Sequence, residues 1–154
     1  MKKIIISTLA AVTLAVSAQA EDISFGLGIG VSGVNAAVIK APINIGTEFR
    51  VEPEVALGSY DAGNGAGSQS YYSIGSGFYL LNQTSEQTFI YYGGKAVFGD
   101  NISTNFSSEI SGVFGFEYYM DPQVSIGAEA SFGFGFGDQS GYTTDSSVNM
   151  RYYF

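Results

Sequence analysis

The feature that most constrains this chain is a two-residue alternation of apolar with small or polar side chains, clearest over 124–137. Val124, Ile126, Ala128, Ala130, Phe132, Phe134 and Phe136 share one phase; Ser125, Gly127, Glu129, Ser131, Gly133, Gly135 and Gly137 share the other. A strand sends successive side chains to opposite faces, so this pattern reads as a strand with one greasy face. The same alternation opens the chain beyond its first twenty residues, with Ile23, Phe25, Leu27, Ile29 and Val31 set against Ser24, Gly26, Gly28 and Gly30. It also closes the chain, with Val148, Met150, Tyr152 and Phe154 against Ser147, Asn149, Arg151 and Tyr153. The many Gly, Phe and Tyr residues argue against a helical bundle.

Eight such segments lie near 22–32, 42–52, 54–61, 70–82, 88–99, 106–120, 123–137 and 146–154. Tight connections at Glu52-Pro53, Asn82–Glu86 and Met120-Asp121-Pro122 alternate with longer stretches rich in Gly, Ser, Asn and Asp near 33–41, 62–69, 100–105 and 138–145. Short turns at one end and longer loops at the other mark an all-β, eight-stranded antiparallel up-and-down transmembrane β-barrel. An even strand count puts both termini at the short-turn end, which in such barrels is the periplasmic end.

Alternation alone does not say which face is outside. Eight strands enclose room for only a modest filling of side chains, too little for the Phe, Ile, Leu and Tyr of the apolar face. The other face is mostly Gly, Ser and Ala, which suits a crowded lumen, so the apolar face is assigned to lipid. Glu48, Arg50, Glu54, Lys95, Glu109, Glu117, Glu129 and Arg151 then all fall on the inward phase. They are expected to form an internal ion-pair network that plugs the lumen; a charged lining for a permeation path is the alternative. Lys40 is read as a lone cation in the first loop. Tyr92, Tyr118, Tyr152 and Phe154 near one end, and Tyr72, Phe98 and Phe136 near the other, fit two interfacial aromatic girdles. Tyr142 is the one aromatic assigned to a loop.

The N-terminus supplies an address. Met1-Lys2-Lys3, an apolar run from Ile4 to Val16 and Ser17-Ala18-Gln19-Ala20 have the layout of a secretory signal peptide, with cleavage expected after Ala20. The run is too short to cross a bilayer as a helix, which needs about 20 apolar residues. Residues 21–154 would then form the barrel domain. With no Cys, no disulfide framework supports it. Beyond the signal only Lys40, Arg50, Lys95 and Arg151 are basic, against fourteen acids, so nucleic acid is not an expected partner.

Met150-Arg151-Tyr152-Tyr153-Phe154 alternates apolar residues up to a terminal Phe. This resembles the β-signal of bacterial outer-membrane proteins, and the whole of 21–154 resembles the small barrels that include the OmpA transmembrane domain and OmpX. The resemblance implies an outer-membrane location in a Gram-negative envelope. It also implies recognition of Met150, Tyr152 and Phe154 by the barrel assembly machinery, with outer-membrane lipid as the other partner. The chain is expected to be a monomer.

Catalytic chemistry is sparsely supplied. Without His or Cys there is no Ser–His–Asp triad, no thiol nucleophile and no His/Cys zinc site. A paired-carboxylate glycosidase stays formally open, but interior Glu residues beside Arg and Lys read more simply as structural. Gly28-Ile29-Gly30-Val31-Ser32-Gly33 spells a dinucleotide fingerprint, yet Pro42 leaves no room for the helix that fingerprint needs. Asp61, Asp100, Asp138 and Asp145, with Asn64 and Asn101, make acidic loop tips without a calcium-binding motif. No catalytic residue, metal ligand or cofactor is therefore expected. The leading reading is a non-enzymatic barrel with a structural, envelope-integrity role. A narrow pore or small-ligand barrel would use Gly26, Gly28, Gly30, Gly133, Gly135 and Gly137 as a recess, unless Tyr60 and Tyr71 fill it. Surface recognition through the loops is the third reading.

Overall fold

The computed structural model describes residues 23–33, 36–61, 68–101, 106–137 and 140–154; the expected signal peptide and its cleavage site lie outside them. Nine strands follow one another: β1 (Ile23–Ser32), β2 (Ala36–Lys40), β3 (Ile43–Ile45), β4 (Phe49–Asp61), β5 (Ser68–Ser85), β6 (Thr88–Asn101), β7 (Phe106–Asp121), β8 (Val124–Gly137) and β9 (Gly141–Tyr153). Each pairs antiparallel with the next, except β2 with β3, which both pair with β1 and β4 instead; β1 also pairs with β9, which closes the sheet. Since β2 and β3 both lie between β1 and β4, the closed ring has eight staves.

Two prolines explain the broken stave. Lys40 faces Glu54 and Asn44 faces Arg50, so one register runs unbroken through the gap and puts Ala41 opposite Pro53. The Ala41 N–H donates to the Pro53 carbonyl at 2.8 Å, but Pro53 has no N–H to return. Pro42 likewise accepts from the Gly26 N–H at 2.9 Å and donates nothing back to β1. The ladder loses donors at one level, while the chain path stays extended.

This corrects the sequence reading. Glu52-Pro53 is not a turn but the interior of β4, and 36–40 is strand rather than loop. The real first turn is Gly46-Thr47-Glu48, where Gly46 takes φ 61°, a left-handed conformation that costs glycine little. The turn at 122–123 falls where expected, whereas the turn expected over Asn82–Glu86 is confined to 86–87, because β5 continues to Ser85.

The barrel is inside-out relative to a soluble protein. Phe25, Leu27, Ile29, Ile74, Ile110, Phe114 and Phe132 stand exposed on the outer face. The fully buried side chains of greatest volume include Arg50, Arg151, Lys40, Glu52 and Glu117. So broad an apolar exterior around a charged interior suits hydrocarbon and not water. The seven aromatics assigned to the girdles are all exposed on that outer face. Tyr142 joins them instead of occupying a loop: it lies on β9 with its ring stacked on Phe132, 5.7 Å between centroids. Asp145 is likewise a β9 residue rather than part of a loop tip.

Candidate functional site

The alternation brings eight charged side chains together inside the barrel. Arg50, Glu52 and Glu54 occupy successive inward positions of β4, and Lys40 enters beside them from β2. Lys95, Glu117, Glu129 and Arg151 come from β6, β7, β8 and β9. Lys40 Nζ lies 2.8 Å from Glu129, 3.2 Å from Glu52 and 3.7 Å from Glu54. Arg151 makes a forked contact with Glu52, Nε to Oε2 at 2.8 Å and Nη2 to Oε1 at 3.1 Å. Arg50 Nη2 reaches Glu117 at 2.7 Å, and Lys95 reaches Glu54 at 3.4 Å. Four cations thus face four carboxylates, and none of the eight is more than 9% exposed.

Balance matters more than number here. Desolvating an ion costs several kcal/mol, and attraction in a low-dielectric interior offsets that cost only when every ion meets a partner. Glu52 is the hub: it touches Lys40 and Arg151 closely and lies 3.9 Å from Arg50. Hydroxyl groups add to the coordination. Tyr91 donates to Glu129 at 3.1 Å and Tyr153 donates to Glu117 at 2.8 Å; Ser125 also donates to Glu117. The Tyr91 ring lies 5.7 Å from the Arg50 guanidinium and 5.6 Å from that of Arg151, close enough for cation–π attraction to both.

The interior glycines make room for these long side chains. A Cβ at Gly127 would sit 3.1 Å from Arg151 Nη1, and one at Gly28 would sit 3.2 Å from Arg151 Cγ and 3.3 Å from Lys40 Cβ. At Gly115 a Cβ would overlap the Tyr91 ring. Gly115→Val should therefore displace Tyr91 from Glu129. A loss of about 1–3 kcal/mol is expected, the usual cost of overpacking, read as a lower urea midpoint of the barrel in lipid vesicles.

Of the eight charged residues singled out from sequence, Arg50, Glu54, Lys95, Glu117, Glu129 and Arg151 meet in this cluster. Two do not. Glu48 stands exposed in the first turn, because the chain reverses there. Glu109 is half-buried on β7, beyond Ser111 and outside the cluster. Two members were missed. Lys40, read as a loop cation, is 1% exposed in the lumen, and Glu52, read as part of a turn, is fully buried. Carrying the alternation from Arg50 through Pro53 to Glu54 would have found Glu52.

The glycine recess imagined from sequence is filled at four of its positions. Gly26 is approached by Pro42 and Tyr153, Gly28 by Arg151 and Lys40, Gly30 by Asn149 and Gly133 by Ser111. The side chains of Tyr60 and Tyr71 lie outside the described residues.

No family model matches the chain, and no curated protein matches it in sequence. Solved structures do match it. Neisserial surface protein A superposes with a TM-score of 0.61 at 14% identity, over 86% of this chain and 94% of that one. The chain has the fold of the small outer-membrane β-barrels. The Yersinia pestis outer membrane protein Ail, in a phospholipid nanodisc, matches with a TM-score of 0.53 at 15% identity, over 86% of this chain and 100% of that one. A de novo designed transmembrane barrel, TMB2.3, matches at 0.51 and 13% identity, over 84% and 91% of the two chains. That a designed sequence shares the fold fits a shape dictated by strand alternation and closure rather than by any one activity.

Proposed function

We propose that this protein is a non-enzymatic barrel of the outer membrane whose role is structural, with a lumen closed by its own charges. The carrying observation is the balanced cluster of four cations and four carboxylates at mid-lumen, linked across β2, β4, β6, β7, β8 and β9. An ion entering this level would have to displace a partner already held at 2.7–3.7 Å. Each carboxylate is engaged by a cation, which suits a scaffold better than an acid–base pair awaiting substrate.

The signal-like N-terminus, the apolar exterior and the terminal Tyr152-Tyr153-Phe154 together support export and insertion into the outer membrane. Met150, Tyr152 and Phe154 face outward on or beside the closing strand β9, where assembly machinery could read them as that strand arrives. A sheet closed through β1 and β9 leaves no free edge for pairing with another copy, in keeping with a monomer.

The structural role is testable in the source bacterium. Loss of the protein should raise leakage of periplasmic enzymes and uptake of bulky apolar dyes. Wild type should restore the barrier, and so should Glu48→Ala, which leaves the lumen untouched. An intact barrier in cells lacking the protein would remove the envelope-integrity reading.

A further inference from the structure

Beneath the charge cluster, at the turn end, the lumen opens into a recess of about 420 Å³. That volume is in the range of small-molecule sites. One side of its wall is apolar, with Leu81, Phe89 and Tyr119, while Ser24, Asn44 and Gln83 contribute polar groups. Tyr119 stacks on Tyr153 with centroids 5.6 Å apart, and Phe89 meets Tyr119 edge-on at 5.5 Å, so the rings are held in place. Its mouth is acidic, with Glu86 and Asp121 both exposed. Asp121 already uses Oδ1 to accept from the backbone N–H groups of Gln123 and Val124 at 2.7 and 3.0 Å, which fixes the carboxylate's position.

Among the described residues no basic side chain lines this recess, and the reason lies above it. All four basic residues of 21–154 are spent in the buried cluster, where the carboxylates neutralise them. Asn44, also on the wall, is committed too: its Oδ1 accepts from Arg50 and its Nδ2 donates to Ser24. The recess therefore joins aromatic rings to two exposed carboxylates. The rings take a compact apolar group, and carboxylates at the mouth favour cations over neutral or anionic analogues.

We infer that the turn-end recess binds small organic cations with one aromatic or similarly compact apolar group, the apolar part against Phe89 and Tyr119 and the charge toward Glu86 and Asp121. This goes beyond the structural role and does not depend on it, since the site lies below the closure.

Benzyltrimethylammonium, benzyl alcohol and benzenesulfonate can be titrated into the folded barrel in zwitterionic micelles, with the ring and backbone resonances of Phe89 and Tyr119 followed by NMR. The cation should shift them saturably, the alcohol should bind at least several-fold more weakly, and the sulfonate should leave them unmoved. Raising salt should narrow the gap between cation and alcohol, because the carboxylates at the mouth are exposed and screened. Glu86→Gln with Asp121→Asn should abolish most of the gap. The salt series keeps the test decisive if that variant misfolds. Equal shifts from all three probes, no saturable shift from the cation, or a cation preference indifferent to both salt and the double variant would overturn the inference.

Discussion

Glu52→Ala should be among the most damaging single substitutions in the barrel, while Glu48→Ala, four residues earlier, should be nearly silent. Glu52 is fully buried and is the shared partner of Lys40 and Arg151, with Arg50 close by. Removing it leaves four cations facing three carboxylates, with the forked Arg151 contact gone. Breaking a buried ion pair from one side typically costs about 3–5 kcal/mol, because the orphaned charge stays desolvated. Glu48 stands exposed in a turn, where substitutions usually fall within about 0.5 kcal/mol. Urea titration of barrels refolded into lipid vesicles, without assembly machinery, reads both. Adding Lys40→Met to Glu52→Ala restores equal numbers of charges and should recover a substantial part of the loss. A similar midpoint for the two single variants would mean that Glu52 carries no special weight.

Phe132→Arg should impair insertion by a different route. Phe132 lies near the middle of β8, 60% exposed on the outer face and stacked on Tyr142. A charge presented to lipid at that depth costs about 2–4 kcal/mol. The adjacent Gly133 faces inward, where even a Cβ would press on Ser111 and the Ile110 carbonyl, so Gly133→Arg should fail by crowding. Heat-modifiability on gels separates the cases when bilayer thickness is varied. Phe132→Arg should be partly rescued in thinner bilayers, where the charge can reach the interface; Gly133→Arg should not be. Wild-type folding of Phe132→Arg in thick bilayers would contradict the assignment of faces.

Much of this architecture was legible because alternation is a local signal that repeats. From β5 to β8 the expected segments match the observed strands to within a few residues at each end. The reading failed where proline was taken as punctuation. Proline usually ends a strand because it cannot donate to the ladder. Here Pro42 and Pro53 lose their donors at one level, on two adjacent staves, and the register carries straight through. One misplaced turn moved Glu52 and Lys40 out of the lumen on paper and brought Glu48 in. Phase told which residues point inward, but not their height. That is why Glu109, on the same face of β7 as Glu117, was grouped with a cluster it does not join. Nor does a linear pattern show that Tyr91 lies beside two guanidiniums and against Gly115, since those residues meet only through strand pairing.

Closure of the lumen by balanced charge is tested most directly by electrical recording from the purified barrel in planar bilayers. Wild type should insert without discrete, sustained conductance, even in concentrated salt. Glu52→Ala with Arg151→Met, which removes the forked pair and keeps charges balanced, should admit small resolvable currents if it folds. Stable unitary currents from wild-type protein, free of contaminating porin, would contradict closure and make the charge cluster the lining of a pore.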